Sequence, residues 1–401
     1  MTQQPSAAAR RNLLVTVAMV FAVFTGFAFV LPFMPLFVAR ELGVAEPENA
    51  ALWAGVLIGV GPLLAGLLAP AWGRLADRYG HKGIAAKALV AYVVLLALSA
   101  AVTSVGQLLA LRIGVGLFGG IGPLGLAMAT AQSSREETGR AVGLVQAAQI
   151  LSAAIGPLAG GILADAIGMR RTFLATAALC ALALLLLLVF YEERPPAESK
   201  RTALSGGFAS IVALPGVMAL LVVLFGVNFI GRSFTPILPL HLGVLGVPDA
   251  RLASATGLLI AAYSLAAAAS AWGLGRLSRT RSPHGLLVGT LVGGALIVAP
   301  MALVPSFELV LTLAVLLGLV AGGSLTLCYT IGGLMVPEGV RTTAFSFFSG
   351  AALFGGAVAP TFAGLVAHLA LRGIYFVDAA LYLALVAALA RRGLLRSRVS
   401  P

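Results

Sequence analysis

Residues 52–103 read LWAGVLIGVGPLLAGLLAPAWGRLADRYGHKGIAAKALVAYVVLLALSAAVT. Two apolar runs of about twenty residues, the length that crosses a bilayer as a helix, flank a short turn from Gly73 to Lys82. That turn holds one carboxylate among four bases. Neither run alternates as barrel strands do, and lipid admits only helices and closed barrels because every backbone polar group must find an internal partner. Both runs therefore read as membrane helices. The same texture fills the chain: of 401 residues, 60% are hydrophobic and only 10% charged, with a mean hydropathy of +1.03. A soluble domain carries about 25% charged residues, so an ordinary water-soluble enzyme is excluded. The fold class is an all-α membrane protein.

Outward from this hairpin, apolar runs between charged or Pro/Gly-rich breaks give twelve spans. They cover Leu13 to Val38, Leu52 to Trp72, Ile84 to Thr103, Leu108 to Thr130, Ala141 to Ala164 and Thr172 to Tyr191. The second six cover Val217 to Leu240, Leu252 to Leu274, Leu286 to Leu303, Leu309 to Met335, Thr343 to Ala367 and Ile374 to Ala390. The first run is too long for a signal-peptide core and is read as a retained span. Net charge is +12. In a soluble protein that excess would suggest nucleic acid; here its distribution sets orientation, and no nucleic-acid partner is expected. With both termini in the cytoplasm, nineteen cations fall inside, counting Lys87 in the first turn of span three, and five outside, with Arg112 and Arg232 deeper within spans. That bias follows the positive-inside rule. The longest inside loop, Glu192 to Ser205, contains Pro-Pro and separates the spans six and six. The expected organisation is a six-helix bundle at 1–191, a cytoplasmic linker at 192–210 and a second bundle at 211–401. Cys180 and Cys328 both lie in apolar runs and read as small buried hydrophobes, with no disulfide and no metal site.

The halves repeat each other. Pro32-x-x-Pro35-Leu36, with Leu42-Gly43-Val44 after it, recurs as Pro236-x-x-Pro239-Leu240 with Leu245-Gly246-Val247. Ala54 to Ile58 echoes Thr256 to Ile260, and Ala71-Trp72-Gly73 returns as Ala271-Trp272-Gly273. Gly116-Leu117 with Gly119-Gly120 returns as Gly318-Leu319 with Gly322-Gly323, and Arg140 corresponds to Arg341. Constant order and offset mark a duplication. Two six-helix repeats of parallel orientation, with a site at their shared interface, are a transporter architecture; a duplicated membrane scaffold is the blander alternative.

The turn spaced Gly73-x-x-x-Asp77-Arg78-x-Gly80 is more specific than a solvated basic loop requires. A carboxylate at a helix end accepts backbone N–H groups and pairs with arginine. This stretch resembles the signature of the major facilitator superfamily, and the resemblance covers essentially the whole chain. It implies that Asp77 acts in a gate latching the outward-open state. The corresponding loop Gly273-Leu274-Gly275-Arg276 has no acid, so any such latch is one-sided. Gly26 with Pro32 and Pro35 resembles the first-span motif of the twelve-span drug:proton antiporters. Arg112-x-x-x-Gly116 is similar to the motif whose arginine is linked to proton movement. Gly156-Pro157-Leu158-Ala159-Gly160-Gly161 resembles the antiporter motif of span five, which in the family packs at the seam between halves. Its proline removes a helix hydrogen bond and its small residues admit a close neighbour. The resemblance implies a bacterial inner-membrane transporter acting as a monomer on small molecules and protons, without a cofactor.

An ionisable side chain in the bilayer core costs at least about 2.5–3.5 kcal/mol, so each asks for a reason. Arg112, Arg232 and Asp378 are those residues, and with Asp77 they are the proton-coupling candidates. Arg232 and Asp378 lie at similar depth in the second half, which predicts a buried pair, either static or alternating with a proton or a substrate cation. Spans one, four and five carry no acid between their ends, and His81, His241, His284 and His368 are read as lying at loops or helix ends. Candidate cavity residues, on faces the resemblance implies, are Phe24, Thr25, Phe27, Gln146, Gln149, Asn228, Phe229, Tyr263, Phe347 and Phe354. Large rings with sparse hydrogen-bonding groups suit bulky amphipathic ligands. The functional expectation is proton-coupled efflux of lipophilic or cationic drugs. The alternative is export of an anionic metabolite, sugar or lipid-like molecule on Arg112 and Arg232. No phosphate loop, zinc-protease helix or nucleophile elbow occurs, so neither ATP-driven pumping nor an enzyme is expected.

Overall fold

The structure is a computed structural model and describes residues 7–131, 138–193, 214, 216–336 and 341–391. Among them every regular element is helical. Eleven helical segments are long and apolar enough to cross a membrane: Ala8–Val30, Pro47–Ala69, His81–Ser99, Val105–Thr130, Arg140–Ile167, Met169–Phe190, Asp249–Leu277, Pro283–Ala302, Phe307–Met335, Phe347–Leu369 and Gly373–Ala390. The pair Val217–Ser233 and Leu238–Val244, bent by 44°, makes the twelfth and stands seventh in order. Most of the 192–210 linker lies outside the described residues.

Four of the expected continuous runs are broken, two in each half. The first helix stops at Val30, and the chain resumes as Met34–Leu36 followed by a π turn at Phe37–Glu41. The seventh stops at Ser233 and resumes at Leu238. Both breaks fall in the Pro-x-x-Pro repeat. The first proline lacks the N–H that would continue the ladder, and the second sits in the first turn of the new helix, where no donor is needed. Spans four and ten break at Gly119-Gly120 and around Gly322-Gly323. Ser104 caps span four through the amide of Gln107, and Ser306 caps span ten through the amide of Leu309. Gly43 and Gly246 close matching turns at φ 74° and 82°. The duplication read in the letters is thus repeated in breaks, caps and turns.

The chain divides into two compact units. The first comprises Met1–Ala45, Val60–Lys200 and Pro248–Ala261; the second comprises Glu46–Gly59, Arg201–Val247 and Ala262–Pro401. One segment from each half of the sequence therefore groups with the other half. In the first unit, the helix Ala7–Val30 packs on Thr138–Ile167 and Met169–Phe190. Met19, Val20, Leu89, Leu96, Val145, Cys180 and Leu187 fill its interior. Arg170 ties helix ends of this unit together, bonding Glu41 at 2.8 Å and the carbonyls of Ala100 and Val102 at 2.9 and 2.8 Å. In the second unit, Val217–Ser233 packs on Arg341–Leu369 and Gly373–Arg391, around buried Leu224, Ile230, Leu291, Phe348 and Tyr375. Lipid tails are as apolar as leucine, so cohesion between spans depends on close packing and hydrogen bonds more than on the hydrophobic effect.

Candidate functional site

The Gly-Pro motif of span five uses all three of its glycines. A Cβ at Gly156 would lie 2.4 Å from the Ala28 Cβ, and one at Gly160 would lie 2.2 Å from the Phe29 Cα. Both contacts seat span five on span one. A Cβ at Gly161 would lie 2.2 Å from the Ala253 carbonyl oxygen, and one at Gly257 equally close to that of Pro157. Span five and the first turns of span eight therefore touch backbone to backbone, with Pro157 inside the helix at the crossing. Inside the second unit, Gly55 meets the Pro360 carbonyl and Gly364 meets Ala51 and Leu52 in the same manner.

At the turn between spans two and three, helix Pro47–Tyr79 ends on Gly80, whose φ of 89° only glycine adopts without strain. A Cβ there would meet the Glu193 carboxylate at 2.8 Å. That carboxylate accepts the Lys82 amide at 3.1 Å, while the Lys82 ammonium bonds the Tyr191 carbonyl at 2.7 Å. Arg78 lies over the Tyr79 ring at 5.3 Å. Gly73 and Asp77 fall on the last turns of this helix, and their side-chain surroundings lie outside the described residues.

Arg112 projects from the first helix of span four, Val105–Leu117, and is only 8% exposed. Its guanidinium carbon stands 5.6 Å over the Phe173 ring, itself packed edge-on by Phe33 and Phe37. Nε and one Nη are buried without a hydrogen-bond partner. A ring face attracts the cation but leaves its N–H groups unanswered.

Asp378, in span twelve, is fully buried. Its Oδ2 accepts the Ser233 hydroxyl at 2.5 Å, and its Oδ1 has no partner. The expected pair with Arg232 is not formed. Adjacent helical residues project about 100° apart, so Ser233 faces span twelve while Arg232 does not. A Cβ on Gly356 of span eleven would come within 3.6 Å of Arg232 Cγ and 2.8 Å of Asn228 Oδ1, as expected for residues four apart on one helix face. His241, read as a helix-end residue, stands in the last turn of its short helix. It lies inside the helix Leu238–Val244, fully buried, with Nδ1 2.9 Å from the Tyr375 hydroxyl and Nε2 without a partner. Tyr375 is one turn before Asp378, so two half-satisfied titratable groups share a neighbourhood that the sequence reading missed. The signal was available: a helix restarting at Pro239 carries His241 into the packed layer.

The other candidates fall in separate sets. In the first unit, Gly122 leaves room for Phe24 and Gln149; its Cβ would lie 3.2 and 3.7 Å from them. Thr25 donates to Ser152 Oγ at 3.0 Å, Phe27 packs edge-on against Tyr92, and Gln146 is exposed. In the second unit Phe225, Phe229, Phe354 and Phe362 form a chain of ring contacts, with centroids 5.3–6.0 Å apart. Tyr263 packs against Phe234, and Phe347 is half-buried. The candidate rings of the second unit are thus in mutual contact, whereas Phe24 and Phe27 of the first take different neighbours.

A family model described as Major Facilitator Superfamily matches residues 16–308 and 253–400. The chain is 30% identical over 374 residues to the multidrug resistance protein MdtG of Proteus mirabilis, covering 92% of this chain and 93% of that one. It is 33% identical over 299 residues to a Lactococcus lactis multi-drug resistance efflux pump PmrA homolog, covering 74% and 73%. Among solved structures, a bacterial homolog of the human lysosomal transporter Spinster, inward-facing and unoccupied, matches with a TM-score of 0.76 at 18% identity. It covers 99% of this chain and all of that one, and shows the fold.

Proposed function

The chain belongs to the Major Facilitator Superfamily, and from that premise we propose that it exports lipophilic or cationic drugs in exchange for protons. Two bundles, 1–191 and 211–401 joined by the 192–210 linker, alternate access to a central path. The names of its relatives from Proteus mirabilis and Lactococcus lactis support drug export as the activity. The ring series Phe225, Phe229, Phe354 and Phe362, with Asn228 and Tyr263 nearby in the sequence of spans, supports a ligand bound by area rather than by a fixed polar code. Phe24, Gln146 and Gln149 are the counterpart from the first half.

The observation that carries the proton assignment is Asp378: a buried carboxyl group with one oxygen on Ser233 and the other unanswered. A proton on Oδ1 removes the uncompensated charge, so the group exchanges protons at a cost set by its neighbours. Arg112 and Arg232 tune the electrostatics of the path in the two halves, and Asp77, with Arg78 and the Gly73 and Gly80 turn, gates its inner end. The protein works as a monomer in the bacterial cytoplasmic membrane with both termini inside, as the cation bias directs. Nothing in this mechanism requires a cofactor.

The unanswered guanidinium of Arg112 favours a second reading, in which the exported molecule is anionic and supplies the missing acceptor. A susceptibility panel in an efflux-deficient host, with wild type beside Asp77→Asn, separates the two. Resistance to structurally unrelated drugs, lost in the variant, supports drug export. Unchanged susceptibility to every compound overturns it in favour of the anionic cargo.

A further inference from the structure

Span eight starts without a cap of its own. Its α-helix opens at Leu252 after a 3-10 turn, Asp249–Arg251. The first amides of a helix have no partner within it, and an acidic or hydroxyl side chain normally answers the third. Here the third amide, that of Ser254, donates at 2.7 Å to Asp165 Oδ2 at the outer end of span five. The Ser254 hydroxyl donates to the Arg251 carbonyl. Asp165 thus caps span eight from another helix, and a carboxylate there also suits the positive end of the helix dipole. The cap stands directly beyond the tight crossing of Gly161 with Ala253 and Pro157 with Gly257. Arg40 adds a second tie to the same turn, bonding Asp249 Oδ1 at 2.7 Å.

The related crossing in the second unit lacks this device. Pro360 and Gly364 stand to His368 as Pro157 and Gly161 stand to Asp165, but His368 is exposed. Span two opens on Pro47 and Glu48 instead, with the acid already in its own first turn. The asymmetry assigns the interhelical carboxylate a specific task.

We propose that Asp165 is a positioning residue for transport: its bond to the first turn of span eight holds spans five and eight together at their outer ends, and it must break each time the outer side opens. The role rests on the alternating-access reading above, whereas the bond itself does not.

The test is a spin-label distance measurement on the full chain in nanodiscs, with nitroxides at Ile167→Cys and Ala250→Cys; Cys180 and Cys328 are buried. The background chain should give one short distance. Asp165→Ala should raise a longer-distance population about fivefold, Asp165→Asn should do so less, and Asp165→Glu should restore the short distance. In everted vesicles Asp165→Ala should raise the KM for drug uptake with kcat within about twofold, a split that mere loss of folded protein would not produce. Distance distributions identical in Asp165→Ala, Asp165→Asn and the background overturn the proposal. A distance shift in a chain that moves no drug leaves the latch standing and sinks drug export instead.

Discussion

Arg112 and Asp378 are both charged-type residues deep in a membrane bundle, yet the protein treats them differently. Arg112 lies in the first unit against an aromatic trio, with a ring face under its guanidinium and nothing on its Nε. Asp378 lies in the second unit within a set of hydroxyl groups, Ser233 beside it and Tyr375 a turn away. An arginine stays charged at any physiological pH, whereas a carboxyl group can become neutral. The fixed charge of Arg112 is therefore met by a ring face, and the switchable Asp378 by one hydroxyl. A burial cost that cannot be relieved and one that can be relieved by a proton are different physical situations, and only the second suits coupling.

The strongest way to break this contrast is Asp378→Asn. It keeps shape and a hydrogen-bond acceptor for Ser233 but cannot exchange a proton. Proton-driven uptake into everted vesicles should fall to background, and undiminished uptake would reduce Asp378 to a packing role. Next in size, Arg112→Met replaces a half-satisfied buried cation by an apolar chain of similar length. Removing a buried cation with unanswered N–H groups relieves a desolvation cost of several kcal/mol per ion, so the purified protein should melt higher; a lower melting temperature would mean that the guanidinium has partners the static arrangement hides. Smallest, Ser233→Ala leaves the second carboxyl oxygen unanswered and should cost about 1–3 kcal/mol, read as a lower melting temperature. The same substitution made in Asp378→Leu should cost little, and equal losses in both backgrounds would show that the hydroxyl does not act through Asp378.

The sequence made some of this legible. The spans, their repeated punctuation and the Gly-Pro crossing follow from residue type and spacing, because lipid leaves the backbone few choices. Depth was also readable: Arg232 and Asp378 were placed at comparable levels by counting residues. Azimuth was not. Which way a side chain points around its helix depends on neighbours from remote parts of the chain, so Arg232 was assigned a bond that belongs to Ser233. His241 was lost for a related reason: it stands one residue past the expected end of span seven at Leu240, whereas the bent span continues to Val244. Asp165 escaped because it stands just past the last apolar residue of its run, where a carboxylate looks merely solvated. Its partner is a backbone amide 89 residues away, and no letter code marks a free amide.

Spans four and ten have a mechanical corollary. Each is two short rods meeting at a glycine pair, and each pair is pressed against a neighbouring helix, Ala65 at Gly119 and Ala267 at Gly322. A rod jointed in its middle and pinned at the joint bends like an elbow on a fixed pivot. The angle between its two arms is set at that pivot, inside the span, rather than in the loops at its ends.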